Sequence, residues 1–146
     1  MKPVAINRKA RFNYTVEEEI EAGLMLQGSE VKSLRAGLVN ISDGYVAEQN
    51  GLLILMNVHI SEYKGANKFN HAPLRPRQLL LHTKQIDKLL GKIQTKGYSL
   101  IPLSIYFNSR NIAKVNIGIC KGKKLYDKRA SLKEKDEKRR AQRGED

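Results

Sequence analysis

The chain has 146 residues, 27 of them Lys or Arg against 15 Asp or Glu, a formal charge of +12. This length and a 40% hydrophobic, 29% charged composition suit one domain with a packed core. The longest apolar run, Leu52 to Met56, excludes a membrane helix of roughly 20 residues.

The opening residues carry Arg8, Lys9 and Arg11 with no apolar stretch behind them, so a cleaved secretory signal is not expected. A single cysteine, Cys120, leaves no internal disulfide framework and no cysteine-cluster metal site. A cytoplasmic protein is the simplest expectation, and its basic excess points to a polyanionic partner, nucleic acid first. No basic amphipathic helix with a broad apolar face offers itself to a membrane surface.

Along the chain, Phe12, Tyr14 and Val16 alternate with polar residues, the period of a half-buried strand. A short helix is expected over about Glu30 to Arg35, with Ser29 as N-cap and Gly37 just beyond the end. Tyr45–Gln49 and Leu52–Val58 flank Asn50-Gly51, a strong hairpin signal because both turn residues tolerate positive φ. A second helix is expected from about Lys84 to Lys96, capped by Thr83 and stopped by Gly97. Its Ile86, Leu89, Leu90 and Ile93 form one apolar stripe. Ile101–Phe107 and Ala113–Ile119 read as another hairpin, with Val115, Ile117 and Ile119 on one face.

Residues 121–146 change character. They hold 11 basic and 6 acidic side chains, and their only large apolar residues are Leu125, Tyr126 and Leu132. Such a segment cannot bury enough apolar surface to offset its ordering entropy. The expected division is a folded domain over residues 1–121 and a basic tail over 122–146, disordered when free and ordering on a partner. The fold class is mainly β: a small antiparallel barrel of the oligonucleotide-binding type with two or three helices.

Catalytic machinery is not evident. His59, His71 and His82 are 12 and 11 residues apart, unlike paired metal ligands on one element, and read as surface or partly buried structural side chains. The phosphate-loop, dinucleotide and nucleophile-elbow motifs are missing. Glu17, Glu18, Glu19 and Glu21 fit a solvated strand face better than a cation site. Neither an enzyme nor a cofactor or metal is expected. The composition leaves open a general RNA-binding module, such as a ribosomal protein.

Six blocks carry a resemblance. They are Asn7-Arg8-Lys9-Ala10, Glu21-Ala22-Gly23, Gly28 through Gly37, Asn57-Val58-His59-Ile60, Arg77 through His82, and Gly122 through Arg129. In this order and at these separations, the chain resembles the SmpB (small protein B) family nearly to Arg129. The resemblance implies a non-enzymatic partner of transfer-messenger RNA (tmRNA). The family binds the tRNA-like part of that RNA, enters the empty A site of a stalled ribosome, and licenses addition of a degradation tag. Elongation factor Tu, carrying the alanine-charged RNA, is an implied partner.

The resemblance also assigns residues. RNA binding is expected at Glu21, Leu80 and Lys114, with support from Asn7, Arg8 and Lys9. A carboxylate can accept from an exposed base amino group, an apolar side chain can underlie an unstacked base, and a lysine suits a phosphate. Without the resemblance, Leu80 would read as core and Glu21 as a plain outward strand residue. The tail residues Gly122, Lys123, Lys124, Tyr126, Asp127, Lys128 and Arg129 match the stretch that engages the decoding-centre rRNA and the mRNA path, where Tyr126 could stack on a nucleotide. Pro76 and Gln78 depart from the expected polar and basic residues, lowering the charge beside Leu80.

Overall fold

The computed structural model describes residues 2–65 and 70–122. Its elements follow in the order β1 (Pro3–Ile6), α1 (Ala10–Asn13), β2 (Tyr14–Leu24), α2 (Gly28–Arg35), β3 (Val39–Asn40), β4 (Tyr45–Gln49), β5 (Leu52–Met56), β6 (His59–Ile60), β7 (Arg77–Leu80), α3 (Thr83–Gln94), β8 (Tyr98–Phe107) and β9 (Ala113–Gly122). Seven strands form one antiparallel sheet in the order β1-β8-β9-β2-β7-β5-β4, and β3 pairs separately with β6. The sheet curls until β4, at one edge, comes back beside β8. That barrel-like closure with few helices is the expected class.

Turn chemistry explains the hairpins. Asn50 and Gly51 take φ of 53° and 79°, and Gln49 pairs directly with Leu52, so the two-residue turn fixes the β4–β5 register. The strand after this turn stops at Met56, short of Val58, because Asn57 adopts a positive φ of 58°. The β8–β9 hairpin is longer than expected at both outer ends, and Val115, Ile117 and Ile119 all point into the core.

Four local expectations are corrected. Phe12 lies in the one-turn helix α1, and the strand begins only at Tyr14. The N-cap of α2 is Gln27, whose backbone N–H donates to Glu30 Oε1 at 2.8 Å. Ser29 sits inside the helix and hydrogen-bonds His71 Nδ1 at 2.8 Å. The N-cap of α3 is His82, with Thr83 as its first residue. Gly37 follows the C-cap of α2 at φ of 74°, as expected of a C-terminal glycine, whereas α3 ends at Gln94, short of the expected Lys96, because Thr95 turns extended before Gly97 is reached.

The core fills the barrel with Ile20, Ala22 and Leu24 from β2, Leu53 and Leu55 from β5, Leu79 from β7 and Val115, Ile117 and Ile119 from β9. Leu34 enters from α2 and Leu89 from α3, with Ile86, Leu90 and Ile93 packed beside it. A second cluster of Ala10, Ile101, Leu103 and Cys120, flanked by Tyr14 and Val16, lies on the other face of β8 and β9. There α1 covers the sheet, so β8 is buried on both faces over much of its length. His71 is fully enclosed, its ring held between the Ser29 hydroxyl and the Ile60 carbonyl.

Candidate nucleic-acid interface

Glu21, Leu80 and Lys114 stand on three adjacent strands, β2, β7 and β9. Register brings them together. Gly23 faces Leu80 on one side and Lys114 on the other, and Lys114 in turn faces Tyr106 of β8. Leu80, Gly23, Lys114 and Tyr106 therefore form one row across four strands. Glu21 lies two residues from Gly23 and so shares its face. Ile20, Ala22 and Leu24 take the alternate positions and fill the core. Leu79 is buried while Leu80 is 47% exposed, so the apolar run at the end of β7 splits between core and surface.

Gly23 makes the row into a groove. With no side chain at its centre, the sheet leaves a depression of about 810 Å³ lined by Glu21, Gly23, Leu80 and Lys114 together with His82, Gln85 and Lys88 from the start of α3. A Cβ at Gly23 would stand 3.2 Å from the Leu80 Cβ, so a side chain here would crowd the apolar wall. The Tyr106 hydroxyl donates a hydrogen bond to Glu21 Oε2. Burial, and after it the bond to Glu21, push the Tyr106 phenol up to about 12, so it stays a donor at any cellular pH.

The remaining acids of β2 are exposed and largely partnered. Glu18 pairs with Lys88 and Glu19 with Arg11 at 2.8 Å. Such exposed pairs contribute little to stability, at most about 1 kcal/mol each. They do offset negative charge beside the groove. The solvated strand face expected for this stretch is what the structure holds.

Behind the groove, β7 is fixed by a buried ion pair. Arg77 Nε donates to Glu30 Oε2 at 2.5 Å, and neither side chain is exposed. Arg77 also donates to the Val58 and Pro73 carbonyls at 2.6 and 3.1 Å. Burial pushes the Glu30 carboxyl up, but Arg75, the Gln27 N–H and Arg77 together outweigh it and hold the group below its usual 4.5.

The N-terminal arm is not brought to this groove. Asn7 is buried: its backbone N–H donates to the Leu103 carbonyl at 2.8 Å and its side-chain amide to the Pro102 carbonyl at 3.0 Å. It is a strut, and Arg8 and Lys9 are the exposed members of the trio. Lys9 borders a separate hollow with Tyr45 and Tyr98. Gly122 ends β9, opposite Tyr14. Lys123, Lys124, Tyr126, Asp127, Lys128 and Arg129 lie outside the described residues. Gly23 and Tyr106 were not singled out as site residues from sequence. Gly23 could have been found from its parity with Glu21, whereas nothing in the sequence links residue 106 to residue 21.

The sequence model of the SmpB protein family matches residues 4–145. The SsrA-binding protein of Rickettsia canadensis is 58% identical over 135 residues, covering 92% of this chain and 89% of that protein. The SsrA-binding protein of Rickettsia conorii is 56% identical over 138 residues, covering 94% and 91%. A solved structure described as "tmRNA-SmpB: a journey to the center of the bacterial ribosome" superposes with a TM-score of 0.69 at 46% identity, over 82% of this chain and 84% of that one.

Proposed function

This chain belongs to the SmpB protein family, and from that we propose that it binds tmRNA in trans-translation, holding the tRNA-like part of the RNA in the groove between β7 and β9. The observation that carries the reading is the row of Leu80, Gly23 and Lys114 with Glu21 beside it. An apolar platform, a cation and a carboxylate side by side are what an unpaired nucleotide requires. Its base can lie against Leu80, its phosphate can meet Lys114, and an amino group on its edge can donate to Glu21. Arg8 and Lys9 extend the basic surface, steadied by Asn7.

The work is binding, not catalysis. A barrel of residues 1–121 carries the RNA on a cytoplasmic route to the A site of a stalled ribosome, with elongation factor Tu joining through the alanine-charged tmRNA. The basic stretch from 122 to 146 then meets decoding-centre rRNA and the mRNA path. Gly122, Lys123, Lys124, Tyr126, Asp127, Lys128 and Arg129 stand in there for codon–anticodon pairing. The 56–58% identity to SsrA-binding proteins and the likeness to the tmRNA-SmpB structure support this reading. Capture of the full chain from growing cells followed by sequencing of the bound RNA tests it. Enrichment of tmRNA is expected, whereas capture dominated by rRNA fragments without tmRNA would indicate a ribosomal protein instead.

A further inference from the structure

Glu21 and Tyr106 belong to strands that do not touch, because β9 runs between β2 and β8. Across β9, Glu21 faces Asn116 and Tyr106 faces Lys114, so the phenol reaches diagonally over one strand to donate to Glu21 Oε2. Glu21 Oε1 has no hydrogen-bond partner among the described residues. We propose that Tyr106 is a positioning residue for RNA recognition, whose hydroxyl holds the Glu21 carboxylate beside the Gly23 gap with Oε1 open to a base amino group. This rests on the reading of the groove as the RNA site.

Two physical reasons give the hydroxyl this role. An exposed glutamate samples many rotamers, and a base that must first immobilise it binds more weakly; a carboxylate already held costs less to engage. The second reason is the neighbouring cation. Lys114 is one strand away and close enough on the diagonal for a long side chain to reach Glu21. A direct pair would occupy both groups, yet no Glu21–Lys114 ion pair occurs among the described residues. The phenol satisfies the acid without neutralising it. Lys114 is left for phosphate and Glu21, an acceptor only, for base donors.

The experiment is a double-mutant cycle on the full chain, binding the tRNA-like domain of tmRNA and an unrelated hairpin of equal length. Tyr106→Phe keeps the ring and removes the hydroxyl. It should weaken the tRNA-like RNA by about 5- to 10-fold, the effect of one net hydrogen bond, and leave the unrelated hairpin unchanged. In a Glu21→Ala background it should do nothing further, whereas with Lys114→Ala its effect should multiply. Carbon-labelled tyrosine should show the Tyr106 phenol titrating below its value of about 12 once Glu21 is removed. Should the Phe variant melt early, a difluorinated tyrosine at 106 keeps the shape and strengthens the donor, and it should bind at least as tightly as wild type.

Wild-type binding by a folded Tyr106→Phe, alongside loss in Glu21→Ala, would overturn the role of Tyr106 while leaving the groove assignment intact. Independent, multiplying effects of Tyr106→Phe and Glu21→Ala would overturn it too. Wild-type binding by Glu21→Ala would remove the groove assignment itself.

Discussion

Glu30 of α2 and Arg77 of β7 hold each other at 2.5 Å with neither side chain exposed, and this pair anchors the start of β7. Arg77 begins the four-residue strand that Leu80 ends, and only Gly23 and Leu24 pair that end to β2. Glu30→Ala would leave a buried guanidinium without its counter-charge. A loss of about 3–5 kcal/mol is expected in chemical denaturation, the usual result of removing one partner of a buried pair. A loss below about 1 kcal/mol would show the pair to be solvated.

The same pair predicts an acid sensitivity. The folded Glu30 carboxyl sits below 4.5, so its contribution is present above the unfolded value and is lost as pH falls through the folded one. Melting temperature should therefore drop more steeply for wild type than for Glu30→Gln between about pH 6 and pH 3. Parallel curves would remove Glu30 from the acid response.

Gly23→Ala tests whether the close packing of Leu80 over buried Gly23 matters. The added Cβ meets the Leu80 Cβ at 3.2 Å, an atom that no rotamer change moves, so β2 and β7 must part locally by a few tenths of an ångström, a shift the fold should survive. The groove should not. RNA affinity is expected to fall roughly 10-fold, about 1.4 kcal/mol, with little change in melting temperature. Undiminished binding would mean that this packing does not shape the groove.

Much of the barrel was legible because its signals are local. Asn50-Gly51 fixes a turn wherever it stands, and the stripe from Ile86 to Ile93 can face only one way. Failures came where a pattern ran across a boundary. Phe12 keeps step with Tyr14 and Val16 although the chain between them passes from helix to strand, and a one-turn helix is too short to announce itself. Ser29 looked like a cap because a hydroxyl near a helix start usually is one; here the buried His71 claims it. At the site, the run Leu79-Leu80-Leu81 hides the strand's phase, so the exposed Leu80 looks like core. Tyr106 was illegible because its partner is two strands away, a distance that only the sheet order reveals.

Removal of everything after Gly122 takes away ten basic and six acidic residues, and the charge falls only from +12 to +8. The shortened protein should keep most of its affinity for the tRNA-like RNA. It should fail to support tag addition in a reconstituted translation system stalled on mRNA lacking a stop codon. Substituting Tyr126, Asp127, Lys128 and Arg129 together by Ala should give the same defect. Tagging that survived either change would dissociate the tail from decoding.

The most direct test of the groove is a salt titration of RNA binding by the wild type, Glu21→Ala and Lys114→Ala, all confirmed folded by thermal melts. With 6–10 phosphates neutralised, wild-type affinity should drop by roughly 10³–10⁵ between 50 and 200 mM salt. Lys114→Ala should lower the salt slope by about 1, as the loss of one phosphate contact requires. Glu21→Ala should keep the wild-type slope and lose discrimination between the tRNA-like RNA and an unrelated hairpin. Wild-type affinity, slope and discrimination in both folded variants would contradict the assignment of RNA recognition to this groove.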